Sequence, residues 1–359
     1  MKQLGHLCVY DMTLTTRAPV FIGSGQVYTK TDYLHDPRRN RVTVIDREKL
    51  FSLLLRHDLV DAYERFVLGG GQKLRTFLLQ EGHIREEELR GLALYETDAA
   101  DALDGNHSLK EIHAFVRNRE NKVYVPGSSI KGALRTALLL EKMKNEQAAN
   151  FYLERKTALP EGRYLNTLRY ANDKKRAAYG NAVSSILQGV RISDSQMISD
   201  AHIYLATKID ASVNGSVKKL NLCRECLAPG TVICTTLTLD RSVVGDQLTV
   251  DTIRSAISEY SRYYQSTYAA PFRSPTNSIA VPYQNSLIIG GGAGFFSKTL
   301  IYHYYGERAC RSVAGFMRTT FPKHKHDLDP QHGISPHTAK YTQYRGQLYP
   351  MGFCEVKIQ

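Results

Sequence analysis

The chain has 359 residues, of which 42% are hydrophobic and 23% charged, values typical of a soluble globular protein with one large or two ordinary domains. No apolar run approaches the ~18 residues of a membrane-spanning helix, and the opening stretch MKQLGHLCVYD lacks the apolar segment of a secretion signal, so we expect a cytoplasmic protein without a membrane partner. Six irregularly spaced cysteines predict reduced thiols rather than a disulfide framework. The net charge of +12 favours a polyanionic partner, and nucleic acid is the usual one.

The first predicted element is a strand. Apolar and polar residues alternate over residues 8–15, which is the period of a half-buried strand. Pro19 ends this strand, and GSG at residues 23–25 predicts a turn. Two short β-prone runs then flank DPRRN at residues 36–40, as in a hairpin. We therefore assign residues 1–46 to a first strand and a hairpin of the core.

A helical region is predicted next. Asp46 can cap a helix in which apolar residues recur from Leu50 onward, until three glycines at 69–71 end it. Residues 73–120 are polar and irregular. The pattern predicts a helical insertion over 47–120 rather than a central layer.

The stretch VPGSSIKGALRT at residues 125–136 combines a turn with a basic helix start. Ser128 or Ser129 can cap this helix, and the positive end of a helix dipole suits a phosphate. Lys131 and Arg135 are four residues apart, so they share a helix face. An ordinary capped helix with solvated basic residues explains the same letters. From these residues alone, both interpretations remain open.

The remaining pattern completes an α+β arrangement. A charged, poorly periodic insertion is predicted at about 145–185, and it contains Lys174-Lys175-Arg176. Strands, a helix and a final strand are then predicted at 189–194, 201–209, 217–225, 230–240, 249–268 and 348–358. We assign 121–359 to the remainder of the core. The order β-α-β-β-α-β is that of a ferredoxin-like or RRM-like fold.

A second glycine cluster, GGGAG at residues 290–294, precedes Lys298 and a predicted long helix. It resembles a P-loop, but Ser297 stands where the last glycine belongs, and two phenylalanines occupy the cradle. Nucleotide hydrolysis is therefore not favoured.

Five segments in the same order carry a family resemblance: APVFIGSG, VYVPGSSIKGALRTALL, VRISDSQ, CRECLAPGT and LIIGGGAGFFSKT. From about residue 8 to the C-terminus, the chain resembles the RAMP superfamily of CRISPR proteins. Within it, the chain is most similar to the fifth-subunit family of the Csm series in type III-A effector complexes. The resemblance implies an RRM-like core that binds CRISPR RNA (crRNA), caps its 3′ end and supports its maturation. It also implies contact with the repeating backbone RAMP subunit and other Csm subunits, and it leaves a nuclease recruited for 3′ trimming as a further candidate partner.

The same resemblance implies that the glycine-rich turns and the basic helix lie against the RNA backbone. Arg191 can instead pair with Asp194 inside the fold. The predicted RNA-binding residues are Gly23, Ser24, Ser128, Ser129, Lys131, Arg135, Arg191, Gly291, Gly292, Gly294 and Lys298. Lys174, Lys175 and Arg176 can also reach RNA, although a solvated loop is the simpler interpretation. We expect no catalytic residue, metal or cofactor.

Two features keep an enzyme hypothesis open, in which the protein is a metal-dependent ribonuclease that trims crRNA itself. By the same resemblance, Asp32 and Asp36 fall in roughly the region where backbone subunits carry a cleaving acidic residue, although the spacing differs. Such cleavage needs carboxylates near the scissile phosphate. The tail KHKHDLDPQHGISPH contains His324, His326, His332 and His337, which can bind a metal or move a proton. We expect an exposed loop there that contacts RNA or a neighbour.

A zinc site is a further alternative. Cys223-x-x-Cys226 with Cys234 forms part of a tetrahedral site, but no other cysteine or histidine follows at a zinc-site spacing. Buried free thiols are the favoured interpretation.

Overall fold

The computed structural model describes residues 1–69, 73–102, 111–144, 161–168 and 182–359. Two β-sheets with helices packed on them make up the architecture. The strands are, in chain order, β1 (Lys2–Leu4), β2 (Leu7–Thr16), β3 (Gly23–Tyr28), β4 (Tyr33–Asp36), β5 (Arg41–Ile45), β6 (Ala93–Asp98), β7 (Glu111–Phe115), β8 (Val190–Ile192), β9 (Ile203–Ser212), β10 (Val217–Leu227), β11 (Val232–Asp240), β12 (Ser286–Ile288), β13 (Thr338–Tyr344), β14 (Gln347–Pro350) and β15 (Phe353–Ile358). The α-helices are α1 (Arg47–Arg56), α2 (Val60–Gly69), α3 (Leu74–Thr76), α4 (Glu86–Gly91), α5 (Gly127–Met143), α6 (Glu161–Tyr164), α7 (Arg241–Val244), α8 (Val250–Tyr264), α9 (Ile301–Tyr305), α10 (Ala309–Thr320) and α11 (Asp329–His332).

The first sheet has the strand order β12-β15-β2-β11-β8, and β1 pairs with the first residues of β2. Every pairing in it is antiparallel. In chain order, β2, α5, β8, β11, α8 and β15 reproduce the predicted β-α-β-β-α-β sequence of elements. The predicted α+β class is confirmed.

The main hydrophobic core lies between this sheet and the two helices α5 and α8, which pack against each other. Met12 and Leu14 of β2 are fully buried, as the alternating pattern predicted. Ile130 of α5 and Ile253 of α8 meet them from the helix side and are equally buried. This core fixes the start of α5 relative to the sheet.

The second sheet has the order β3-β7-β10-β9-β6-β5-β4, with the β13–β14 hairpin added along β9. Strands β6 and β7 come from the region predicted to be a helical insertion, so that prediction was wrong for residues 93–98 and 111–115. Helices α1 to α4 do form a separate hydrophobic cluster around Phe66 and Phe77. The predicted domain boundaries themselves stay predictions.

Other predicted elements differ in detail. Helices α1 and α2 are separated at residues 57–59, whereas one continuous helix was predicted. The predicted long helix after the second glycine cluster is a series of short helical segments that ends with α10. Lys174, Lys175 and Arg176, with most of the predicted 145–185 insertion, lie outside the described residues. Within the described ranges, no helix is both long and apolar enough to span a membrane.

Candidate nucleic-acid interface

Three segments that are distant along the chain line one open groove of about 560 Å³. The first segment follows β2, the second is the first part of α5, and the third runs from β12 to Lys298. We call this feature the groove. Its lining residues are Ile22, Gly23, Ser128, Ser129, Gly132, Ala133, Arg135, Thr136, Ile288, Gly290, Gly291, Ser297 and Lys298. Of the predicted RNA-binding residues, the groove therefore brings together Gly23, Ser128, Ser129, Arg135, Gly291 and Lys298.

Backbone hydrogen bonds join the first and third segments. The N–H of Gly291 donates to the carbonyl oxygen of Phe21 at 2.7 Å, and the two residues form an antiparallel bridge. The next carbonyl, that of Ile22, accepts from Val116 N at 2.8 Å. These bonds hold both glycine-rich turns along one side of the groove.

Gly290 explains why the third segment is rich in glycine. Its φ is +82°, a left-handed conformation that residues with a side chain rarely adopt. A Cβ at this position would also lie 2.2 Å from the carbonyl oxygen of Phe21. Only glycine permits the close pairing of the two turns.

The start of α5 forms the opposite side of the groove. The serine caps predicted from the sequence are wrong: the helix begins at Gly127, its N-cap position is Pro126, and no side chain of that residue caps it. Asp194 supplies an acceptor instead, because its Oδ1 receives the N–H of Gly127 at 2.9 Å. Ser128 is exposed and Ser129 half-buried at the groove. The positive end of the α5 dipole is thus next to the groove.

Arg135 and Lys298 supply the positive charge of the groove. Both are exposed, and they come from the two sides. Partial burial lowers the pKa of the Arg135 guanidinium from its usual value, but an arginine remains charged at neutral pH. Two cations and a helix N-terminus along one groove suit the phosphates of a strand.

Lys131 lies one turn before Arg135 but does not line the groove. Its ammonium donates to the carbonyl oxygen of Leu187 at 2.8 Å, toward β8. Burial lowers its pKa, and the nearby Arg191 lowers it further. Arg191 itself pairs with Asp240 at 3.0 Å, not with Asp194 as the alternative prediction had it. The i, i+4 spacing predicted one shared surface, whereas packing against β8 separates these side chains.

The other predicted positions are also outside the groove lining. Ser24 lies on β3, where its hydroxyl donates to the carbonyl oxygen of Ala114 at 3.4 Å. A Cβ on Gly292 would lie 2.4 Å from Nη1 of Arg224, and one on Gly294 would lie 3.0 Å from Cγ of Lys340. These two glycines therefore border cations of the second sheet that the sequence analysis did not single out.

Around Asp329, the histidine-rich tail is buried and is not the exposed loop that was predicted. This carboxylate is fully buried, and His326 is only 6% exposed. Nδ1 of His326 lies 2.9 Å from Oδ2, and Nδ1 of His337 lies 2.6 Å from Oδ1. The Ser335 hydroxyl donates to Oδ2 at 2.5 Å. The two imidazoles and the carboxylate are the described side chains that can hold a metal ion, although these contacts already satisfy the carboxylate as a hydrogen-bonded structural cluster.

The remaining candidates for chemistry are engaged in the fold. Asp32 accepts from the backbone N–H and the hydroxyl of Thr29, both at 2.8 Å, and from Arg47 at 2.7 Å. Oδ1 of Asp36 accepts a turn N–H from Arg38 at 3.0 Å. Cys223 and Cys226 are buried free thiols, as predicted.

A family model described as the RAMP superfamily matches residues 13–272. The chain belongs to the RAMP superfamily. Among curated RAMP relatives, the chain is 27% identical to the CRISPR system Cms protein Csm5 of Mycobacterium tuberculosis over 384 aligned residues, covering 99% of this chain and 98% of that protein. It is 26% identical to Csm5 of Streptococcus thermophilus, covering 81% and 80%. The predicted resemblance to the fifth-subunit family is confirmed.

Solved structures share the fold of this RAMP chain. A chain in the cryo-EM structure of a Csm–crRNA–target RNA ternary complex of a type III-A CRISPR–Cas system matches with a TM-score of 0.67 and 16% identity, covering 97% of this chain and 100% of that one. The crystal structure of T. onnurineus Csm5 matches with a TM-score of 0.55 and 15% identity, covering 96% and 99%.

Proposed function

We propose that this chain is an RNA-binding subunit of a type III-A CRISPR (Csm) ribonucleoprotein, in which it caps the 3′ end of crRNA and supports crRNA maturation. The observation that carries the proposal is the convergence of three distant segments on one groove with two cations and a helix N-terminus. The Csm5 relatives supply the CRISPR system, and the matched Csm–crRNA–target RNA ternary complex supplies the kind of assembly and the kind of RNA. The partners would be crRNA, the repeating backbone RAMP subunit, other Csm subunits and a nuclease recruited for trimming.

The proposed mechanism is geometric. Arg135 and Lys298 neutralise phosphates, and the start of α5 presents its positive dipole end to them. The glycine segment carries no side chains that would hold a ribose away from the groove. Phosphate contacts of this kind position a strand without reading its bases. We therefore expect binding that is insensitive to guide sequence and catalytically inert.

The competing enzyme hypothesis has less support from the geometry. Metal-dependent cleavage needs carboxylates that are available to a metal ion at the scissile phosphate. Asp32 is held by Thr29 and Arg47, and His326 is buried against Asp329. These residues are held in contacts that stabilise the fold, and neither Asp32 nor His326 lines the groove.

The groove is tested by removing its two cations together, as Arg135→Gln with Lys298→Gln. With a labelled single-stranded RNA, the slope of log K against log salt should become shallower by about 1.4, since each lost phosphate contact contributes about 0.7. Fluorescence anisotropy across a salt series measures this slope. Lys131→Gln is the matched control in the same helix, because its amine is bonded to Leu187, and it should leave the slope unchanged.

An unchanged slope in the double variant would refute the groove as the RNA site. A second arm separates binder from enzyme: the purified chain is incubated with a crRNA precursor and Mg²⁺. Intact RNA is expected. Trimming that disappears in Asp32→Asn, while circular dichroism shows the variant still folded, would instead establish the ribonuclease.

A further inference from the structure

The second sheet carries a group of basic side chains on the face that borders the glycine segment. Strand register places them there, because residues paired across strands, and residues two apart on one strand, lie on the same face. Lys218 of β10, Asp210 of β9 and Lys340 of β13 are direct neighbours across three strands. Lys208 lies two residues before Asp210 on β9, and so on the same face. Arg224 of β10 pairs with Ala206, two residues further along β9.

We call Lys208, Lys218, Arg224 and Lys340 the cationic face. Among the described residues of β7, β9, β10 and β13, the carboxylates on this face are Asp210, which pairs with Lys340 at 2.7 Å, and Glu111, two residues before His113 on β7, the strand that pairs with β10 at Arg224. Four cations against two carboxylates leave a net charge of +2 (4 − 2). In the part of the chain that the structure describes, no carboxylate forms an ion pair with Lys208 or Arg224.

The pKa directions of these side chains show that each positive charge affects its neighbours. Burial lowers the pKa of Lys208, and the neighbouring Lys340 lowers it further. Burial also lowers the pKa of Arg224. The pKa of His113 is lowered by burial as well, and the nearby Arg224 lowers it further. Desolvated cations held together without enough counter-charge are stabilised by an anion.

The cationic face continues directly from the groove. Gly292 lies against Arg224 and Gly294 against Lys340, so closely that a Cβ would be 2.4 Å and 3.0 Å away. Gly290 and Gly291 of the same segment line the groove. The Arg224 guanidinium also lies 5.4 Å from the ring centroid of Phe21, whose backbone pairs with Gly291. One short glycine segment thus separates the two positive surfaces.

Building on the proposed function, we propose that the cationic face binds the phosphodiester backbone of the single-stranded RNA where it leaves the groove. A flexible polyanion fits this surface because the cations are spread over neighbouring strands and adjoin the groove. Lys208 and Lys218 have no role in the groove lining, so their contribution can be measured separately.

The test uses the full chain, a labelled single-stranded RNA of about 24 nucleotides, longer than the ~4–16 nucleotides of one single-strand site, and the variant Lys208→Gln with Lys218→Gln. Affinity should fall about fivefold at low salt, and the salt slope should become shallower by about 1.4. Lys2→Gln with Lys323→Gln removes two exposed lysines elsewhere and should change neither quantity. Arg224→Gln, checked for folding by circular dichroism, should weaken binding in the same direction.

The outcomes separate this inference from the proposed function. If the Arg135/Lys298 variant loses affinity while the Lys208/Lys218 variant keeps the wild-type affinity and slope, the cationic face is not an RNA site and the groove stands. If neither variant changes binding, both are overturned. If a polyglutamate peptide binds through Lys208 and Lys218 while RNA binding does not depend on them, the surface takes an acidic protein segment and the inference is wrong.

Discussion

Among single residues, two glycines of α5 should respond oppositely to alanine. A Cβ at Gly127 would lie 2.0 Å from the carbonyl oxygen of Ile192, so Gly127→Ala should push the helix from β8 and lower the free energy of unfolding by about 1–3 kcal/mol. A Cβ at Gly132 would meet nothing within 4 Å. Gly132→Ala should therefore raise the free energy of unfolding by about 0.5–1 kcal/mol. Denaturant unfolding of both variants measures the difference.

Equal effects of the two substitutions would contradict this account of α5. Glycine is costly inside a helix, so either position would by itself indicate a close approach by another group. The structure places the close approach at Gly127, and Gly132 faces the groove. The neighbour that requires glycine at position 127 lies on β8, more than fifty residues later, so the residues around the helix start do not reveal it.

Among elements, the Asp32–Arg47 pair joins the turn before β4 to the first turn of α1. Burial raises the pKa of the Asp32 carboxyl, but hydrogen bonds from Thr29 and Arg47 outweigh it and hold the pKa below its usual value. A depressed folded-state pKa contributes stability above the unfolded pKa of about 4, and that stability is lost as pH falls through the folded value. Asp32→Asn should lower the free energy of unfolding by about 1–2 kcal/mol at pH 7, less than this at pH 3.

Unfolding curves of wild type and Asp32→Asn between pH 7 and pH 3 check this sign. Asp327→Asn, at an exposed position, is the control and should change stability by less than about 0.5 kcal/mol. A difference that grows toward acid pH would exclude the proposed linkage.

At this scale, periodicity located β2, α5 and α8. It missed β6 and β7, because each is only five or six residues long and pairs with strands that are distant along the chain, β6 with β5 and β9, and β7 with β3 and β10.

In the whole molecule, the groove exists only when both sheets and α5 are folded together, so RNA should stabilise the entire chain. At about 100 times the dissociation constant, RNA adds about 2.7 kcal/mol to the free energy of unfolding. The melting temperature should rise by about 3–5 °C. Differential scanning fluorimetry with and without RNA measures the shift. The Arg135→Gln and Lys298→Gln variant should show a much smaller shift, and a full shift in it would place the RNA elsewhere.

The meeting of the three segments was expected from the family resemblance, not from periodicity. Neither the resemblance nor the periodicity predicted the directions of individual side chains. Lys131 turns toward Leu187, and Gly292 and Gly294 face Arg224 and Lys340, because neighbouring strands determine the space available to them. Sequence motifs therefore located the groove, while packing against neighbouring elements determined which of their residues line it.

The backbone ties beside the groove also bear on how fast a ligand can be captured. Val20 pairs with Leu227, Gly291 donates to Phe21, and Gly352 donates to Pro19 at 2.8 Å, so the turn is bonded to three other parts of the fold. Because the turn is anchored in this way, this side of the groove is preorganised, and association costs little conformational entropy for ordering the protein. Capture of a flexible polyanion should then be limited by its diffusion and by the salt concentration rather than by a slow rearrangement of the binding surface.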